Sequence, residues 1–312
     1  MKKILISGLG GSFFPYLHDK LKLKYDLYYV DNNIILNKIY PDYNFFHVPL
    51  VTDLNYISCI DKIISDNNID FYLPLIDEEI EPVINSFSNK LIVIAPDLDF
   101  VKLCINKYNL MLELERLNIS KIKTFTADKY NSQIKFPIFL KPISGRGSRG
   151  IFKIDNEEQY QAYFKLYTQY SKSEILVQEN IFGQEYTVGV LANNLGNLLV
   201  INSKKVISKK GITQIAVTEK NELINATIKE IILKMRPTGP FNVQLYITPN
   251  NEVKIFEINP RFSTTTIMSY ASSIDEVSLF LENHNKYFNS NIIEPNDGLT
   301  LYRRWETLFF NN

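Results

Sequence analysis

Gln244, Glu257, Asn259 and Arg261 are the side chains whose types and spacing most clearly suit chemistry. Gln244 stands in the apolar run 241–247, and Glu257 and Asn259 fall in and just beyond the run 253–258. Side chains along a strand alternate faces, so Glu257 and Asn259 share one. Pro249-Asn250-Asn251 makes a hairpin between the two runs natural and can bring Gln244 alongside. Three oxygen donors on one sheet face suit Mg²⁺, a hard cation that keeps water and phosphate ligands as well. Arg261 adds a fixed positive fork for a transferring phosphoryl group. A lone Glu-x-Asn would mean little, but this one is set among Ile255, Phe256 and Ile258.

Three further segments carry donors. The loop Ser144-Gly145-Arg146-Gly147-Ser148-Arg149-Gly150 has three glycines that let the backbone approach an anion, with two hydroxyls and two guanidinium groups beside them. A flexible hairpin has the same composition, and the Gly-Lys-Ser/Thr of a P-loop is absent. Lys141 follows four apolar-run residues and needs a partner, either a phosphate oxygen or a carboxylate. The stretch Leu176-Val-Gln-Glu179-Asn-Ile181-Phe-Gly183-Gln-Glu185 reads as a strand, a glycine turn and an acid. Backbone groups near Glu179 and Ile181 could meet a purine edge and Glu185 a ribose, or the segment is a β-turn with surface acids.

The elements that must position these groups alternate. Strands are expected at 3–7, 26–30, 71–76 and 91–95, with helices at 16–23 and 56–67 between them. Such alternation predicts a parallel α/β unit over residues 1–99. One helix is expected over 101–117 with Lys107 inside it, then short strands near 123–126, 138–142 and 151–154 and a helix over 157–170. Strands at 176–179, 186–192, 198–203, 241–247 and 253–258 follow, with one helix at 221–235. Lys plus Arg and Asp plus Glu number 34 each, which excludes global steering to nucleic acid or to an anionic membrane. No apolar stretch reaches the roughly 18 residues of a membrane span, and no leader cleavage pattern follows Met1-Lys2-Lys3. Cys59 and Cys104 have no metal-like spacing, and a reducing cytoplasm fits them.

These segments, in this order, resemble the ATP-grasp superfamily, in particular its carbamoyl-phosphate-synthase-like and carboxylate–amine ligase branches, over almost the whole chain. The resemblance is also carried by Ile69-Asp-Phe-Tyr-Leu-Pro-Leu-Ile-Asp77-Glu-Glu and by Asn106-Lys107 before Leu117-Asn-Ile. It implies an α/β (α+β) fold: a Rossmann-like pre-ATP-grasp domain at 1–99, a small lobe with the phosphate loop at 100–172, and a large lobe with the metal site at 173–312. It implies ATP and Mg²⁺, or Mn²⁺, as cofactors. Lys107, Lys141, Ser144, Gly145, Gly147 and Ser148 would contact phosphates, Glu179 and Ile181 adenine, and Glu185 ribose. Gln244, Glu257 and Asn259 would hold the metal, and Arg261 would stabilise an acyl-phosphate. Phe262-Ser-Thr-Thr-Thr266 replaces a glycine-rich stretch of many relatives, and Lys209-Lys-Gly-Ile-Thr213 matches the nucleotide-proximal strand only loosely.

The implied activity is an ADP-forming ligation of a small carboxylate to an amine. Carboxyphosphate chemistry and carbamoyl-phosphate-type chemistry are alternatives, and a homodimer is compatible. A dinucleotide-binding oxidoreductase is suggested by Gly8-Leu-Gly10-Gly11 with Asp31 ending the next strand, but Phe13 stands where a third glycine belongs. A non-catalytic nucleotide-binding protein would be expected to lack the metal donors. Wall candidates for the substrate are 10–14, 77–79, Arg261 and 263–266. Asp77, Glu78 and Glu79 also suit the first turn of a helix. His18, His47 and His284 are scattered and read as structural, and 303–306 either reach the site or pack.

Overall fold

The computed structural model describes residues 1–11, 13–130, 132–145, 147, 149–170, 174–287, 291–304, 307 and 309. The apolar runs of the first third form five parallel strands, β1 (Lys2–Ser7), β2 (Tyr25–Asp31), β3 (Asn44–His47), β4 (Phe71–Leu73) and β5 (Ile92–Val93), in the order β3-β2-β1-β4-β5. Helices α1 (Phe14–Leu21), α2 (Leu36–Ile39), α3 (Tyr56–Asn67) and α4 (Asp77–Phe87) connect them. Alternation sends Ile4, Ile6, Tyr29 and Leu73 into one core layer and Leu5, Val30 and Tyr72 into the other, so both faces are covered, as a parallel sheet requires. Strand order reverses about β1. The crevice outside the carboxyl ends of β1 and β4 is therefore the natural ligand position of this sheet.

The single helix expected over 101–117 is two helices, α5 (Leu98–Ile105) and α6 (Lys107–Arg116). Asn106 breaks the run with an extended backbone, and its side chain accepts from the Asn109 N–H at 3.0 Å. An asparagine cap satisfies donors that helix continuation would otherwise use. The break places Lys107 at the first position of α6 rather than mid-helix.

A small antiparallel sheet follows, from β6 (Thr124–Thr126), β7 (Ile138–Pro142), β8 (Phe152–Ile154) and β9 (Ile175–Glu179) in the order β6-β9-β7-β8, with α7 (Glu157–Tyr170) on it. The last third is a six-stranded antiparallel sheet of β10 (Gln184–Ala192), β11 (Leu198–Lys210), β12 (Ile212–Thr218), β13 (Pro240–Ile247), β14 (Val253–Asn259) and β15 (Thr300–Tyr302), in the order β14-β13-β10-β11-β12-β15. Helices α8 (Glu222–Met235), α9 (Ile267–Ala271) and α10 (Glu276–Glu282) complete the chain. One face of this sheet buries Val188, Val190, Val243, Leu245, Ile255 and Ile258 with residues of α6 and α8. Leu191, Leu199, Phe262 and Phe280 share a core with α1 and the first sheet. No described helix is long and apolar enough to cross a membrane.

Candidate active site

The other face of the large sheet is polar. Register places Glu257 opposite Gln244, Gln244 opposite Thr187 and Thr187 opposite Lys204; in the next row Asn259 meets Asn242, Asn242 meets Gly189 and Gly189 meets Asn202. Strict alternation along β14 would put Ile255 on the same face as Glu257. A bulge prevents this: Gln244 pairs with Glu257 while Leu245 pairs with Ile255, leaving Phe256 as the extra residue. Ile255 then enters the core while Glu257 stays on the polar face. The Phe256 carbonyl accepts from Lys141 Nζ at 3.2 Å.

The structure brings Lys107, Lys141 and Glu257 to one crevice, which Ser144 and Gly145 also line. Lys107 Nζ lies 3.7 Å from Glu257 Oε1 and donates to the Gly145 carbonyl at 2.5 Å. Lys141 Nζ donates to Gln178 Oε1 at 2.8 Å. Both lysines are buried. Burial pushes the Lys141 ammonium down to about 8; Glu257 opposes the fall and Lys107 adds to it. Two lysines at one carboxylate leave an excess of positive charge facing the glycine loop, which is the charge a polyphosphate requires.

Gln244 joins this group from the next strand. Its Nε2 stands 3.4 Å from Glu257 Oε2, and its Oε1 accepts from Lys209 Nζ at 2.9 Å. Lys209 also pairs with Glu185 at 2.6 Å and lies 5.4 Å from the centre of the Phe256 ring. Lys209 is a site residue that sequence reading undervalued. Lys204-Lys205 ended the apolar run, so the strand was expected to stop at 203, whereas β11 continues to Lys210 and turns at Gly211. That turn faces the loop: a Cβ on Gly211 would lie 4.0 Å from the Gly147 carbonyl, and both glycines have positive φ, +72° and +67°. Arg146 and Ser148 lie outside the described residues.

Glu179, at the end of β9, accepts from the Lys123 N–H at 2.8 Å, and Ile181 packs at the edge of the large sheet's core. Glu185 receives Tyr246 OH at 3.4 Å besides its lysine. Of these three, Glu185 is joined to the Lys209 end of the site. Asn259 and Arg261 face a wider cleft of about 520 Å³, which Lys209, Gln244 and Glu257 also line, together with Gly8, Gly10, Gly11, Asp31, Asn242 and Thr264. Arg261 is not free: Nη2 donates to Asp77 Oδ2 at 2.9 Å, and Nε is 2.6 Å from Asp77 Oδ1 in an alignment that makes an ion pair but no hydrogen bond. The fixed charge of the first turn of α4 thus anchors the arginine at the metal-type hairpin.

Two wall expectations are corrected. Glu79 does not face the cleft. It is fully buried, receiving Tyr72 OH at 3.0 Å and the Leu75 and Ile76 N–H groups at 3.1 and 3.2 Å, with Ser7 and Tyr56 hydroxyls as well. Its acid ties α4 to β1, α3 and β4. Asp77 is occupied by Arg261. The C-terminal segment does reach the site's rim: Arg303 Nε donates to the Thr213 carbonyl at 2.9 Å and Nη2 to that of Thr264, joining two cleft walls. Trp305 and Glu306 lie outside the described residues.

Against known proteins, residues 171–304 match the family model described as "ATP-grasp in the biosynthetic pathway with Ter operon". D-alanine–D-alanine ligase A of Salmonella typhimurium is 28% identical over 161 residues, 47% of this chain and 44% of that enzyme. The enzyme of Escherichia coli K12 is 28% identical over 177 residues, 49% of this chain and 48% of its own. The matched stretch therefore spans less than half the length of these curated relatives. Among solved structures, biotin carboxylase of Campylobacter jejuni superposes with a TM-score of 0.75 at 16% identity, covering 93% of this chain and 72% of its own. N5-carboxyaminoimidazole synthetase of Staphylococcus aureus with ADP gives 0.75 at 16%, covering 94% and 80%. L-amino acid ligase of Bacillus licheniformis gives 0.71 at 16%, covering 91% and 74%. The chain thus has the fold of these ATP-grasp structures, and its residues 171–304 match an ATP-grasp family model.

Proposed function

We propose that the protein is an ADP-forming ligase that phosphorylates a small carboxylate with ATP and joins the resulting acyl-phosphate to an amine. The observation that carries this reading is Glu257, flanked by the buried Lys107 and Lys141, with Gln244 on the same sheet face and a glycine loop alongside. In this reading Lys107 and Lys141 take phosphate oxygens under the loop containing Ser144, Gly145, Gly147 and Ser148. Glu179 and Ile181 take the adenine edge, and Glu185 the ribose. The boundaries near residues 99 and 172 separate the pre-ATP-grasp domain and the two lobes.

Gln244, Glu257 and Asn259 would hold magnesium, which when bound neutralises phosphate charge; Mn²⁺ suits the same oxygen donors. The donor set fits a phosphate-bound ion rather than a free one. No three His, Cys, Asp or Glu cluster among the described residues, so one carboxylate and two amides leave most of the negative charge to be supplied by ATP. A substrate carboxylate oxygen attacks the γ-phosphorus, the bond to the bridging oxygen breaks, and ADP leaves. The amine then attacks the acyl carbon, phosphate departs with the C–O electron pair, and the amine gives up a proton. The chain's part is positioning and charge stabilisation, with Arg261 held at the reacting end by Asp77.

Small-molecule acids and amines are the proposed partners. A homodimer is carried over as a proposal from the biotin carboxylase domain of Hydrogenobacter thermophilus, described as a dimer, and sedimentation would check it. A cytoplasmic location suits the free thiols Cys59 and Cys104. The test of the activity is ADP release from MgATP in the presence of carboxylates with an amine, against bicarbonate alone. Glu257→Ala and Asn259→Ala are expected to abolish it. Near-wild-type ADP release in either variant would overturn the assignment, and bicarbonate-dependent release without amine would favour carboxyphosphate chemistry.

A further inference from the structure

The wide cleft opens at the carboxyl ends of β1, β2 and β4, where Gly8–Gly11, Asp31 and Leu75–Ile76 meet Arg261 and the hairpin β13–β14. Four charged side chains line it among the described residues: Asp31, Lys209, Glu257 and Arg261. Three have a charge partner on the protein. Lys209 pairs with Glu185 at 2.6 Å, Arg261 with Asp77 at 2.6 Å, and Glu257 has Lys107 at 3.7 Å. Asp31 has no cationic partner among the described residues. Among the described residues its carboxylate is held only by backbone donors, Gly10 N–H on Oδ2 at 3.2 Å and Asn33 N–H on Oδ1 at 2.9 Å. These two bonds fix the group at the strand end and leave roughly half of its lone-pair sites open, since a carboxylate accepts about four hydrogen bonds.

We propose that Asp31 receives the ammonium group of the substrate, so that the cleft takes an amino acid or related acid bearing a cationic nitrogen rather than a neutral one. The proposal rests on the ligase reading for the reacting end, where the substrate's carboxylate meets Arg261. A fixed, unneutralised carboxylate in a partly enclosed cleft is matched by one positive charge, and charge-assisted bonds are the stronger kind. The rest of the wall offers uncharged donors and acceptors, including Asn32, Thr213, Thr264 and Thr265, which add shape and hydrogen bonds but no competing charge.

The experiment compares matched pairs of acids, β-alanine and L-alanine against propionate and 4-aminobutyrate against butyrate, extended to the common L- and D-amino acids. Wild-type ADP release from MgATP is expected to be stimulated at least about tenfold more by the ammonium-bearing members. Asp31→Asn, which keeps an acceptor for the backbone, is expected to raise the KM for that acid by about 10–100-fold with the KM for ATP nearly unchanged. Asp31→Glu, which keeps the charge, should retain part of the preference. Equal stimulation by the des-amino acids, stimulation by none of the amino acids, or an unchanged KM in Asp31→Asn overturns the proposal. Thermal shift separates it from the ligase reading. Loss of stabilisation by MgATP in the wild type counts against the ligase alone. Protection by the amino acid without nucleotide, present in wild type and absent in Asp31→Asn, supports Asp31 alone.

Discussion

Lys141 carries the sharpest consequence of residue chemistry. Its folded-state value near 8 lies below the roughly 10.4 of an unfolded lysine. Across that window the folded protein binds fewer protons than the unfolded chain, so this group's contribution makes stability rise with pH there. Phosphate binding needs the charged form. The KM for ATP of the wild type is therefore expected to increase several-fold between about pH 7 and 9 as the free enzyme loses this charge. Lys141→Arg, whose guanidinium stays charged, should give a flat profile over the same range; a sloping profile in both would place the titration elsewhere. Gln244 gives a second prediction. Its Oε1 already meets Lys209 at 2.9 Å, so Gln244→Glu adds a carboxylate to a donor set with only one. The magnesium concentration for half-maximal ADP release should fall about tenfold, and an unchanged or higher requirement would remove Gln244 from the metal set. At this scale the sequence was informative where residue types alternate on a strand, as at Glu257 and Asn259. It marked Lys209 only through a loose match and was silent on the Asp77–Arg261 pair, because residues 184 apart meet only through the fold.

At the scale of elements, most strands and helices were legible from periodicity, α3 and β7 to the residue, and most misreadings have a local cause. Asn106 split one expected helix by capping. The bulge at Phe256 let a run of apolar residues serve two faces. Lys204 was the most misleading residue, since a lysine beside another reads as surface, yet it is fully buried with no hydrogen-bond partner for Nζ among the described residues. Gly189 makes the space, because a Cβ there would stand 3.1 Å from Lys204 Nζ and 3.9 Å from Glu276 Oε1. Glu276, also buried, receives Ser269 OH, which in turn receives Asn202 Nδ2 at 2.6 Å. Burial lowers the lysine's pKa and raises the glutamate's, so the pair is held at an electrostatic cost. This set ties α9 and α10 to β11. Removing one member of a buried pair costs about 3–5 kcal/mol, whereas replacing both with apolar or neutral isosteres can be neutral or stabilising. Lys204→Met with Glu276→Gln should therefore be less destabilising than the sum of the single changes by more than about 1 kcal/mol in urea melts. Additive losses would mean that the two side chains do not interact.

For the whole molecule, the site exists only because three sheets converge on it. The parallel sheet contributes the glycine turn after β1 and Asp31; the small sheet contributes Lys141 and the loop; the large sheet contributes the metal-type hairpin and Lys209. None of these separations in space was readable from residue spacing, although the order of segments along the chain matched the superfamily. Two glycine turns from different sheets approach each other at this site, Gly147 and Gly211. Because Gly211 sits at φ +72° and Gly147 at φ +67°, an alanine at either would be strained by about 1–2 kcal/mol. Closure over ATP would shield an acyl-phosphate from water, which a ligase needs and a simple nucleotide carrier does not. MgATP is thus expected to slow amide hydrogen exchange in 144–150 and 209–213 together. Gly211→Ala should reduce that protection in both segments and raise ADP release without product, since an ill-closed site lets water take the acyl group. Exchange that slows in the loop alone, or a Gly211→Ala variant with unchanged coupling of ADP release to product, would show that the hairpin does not take part in closure.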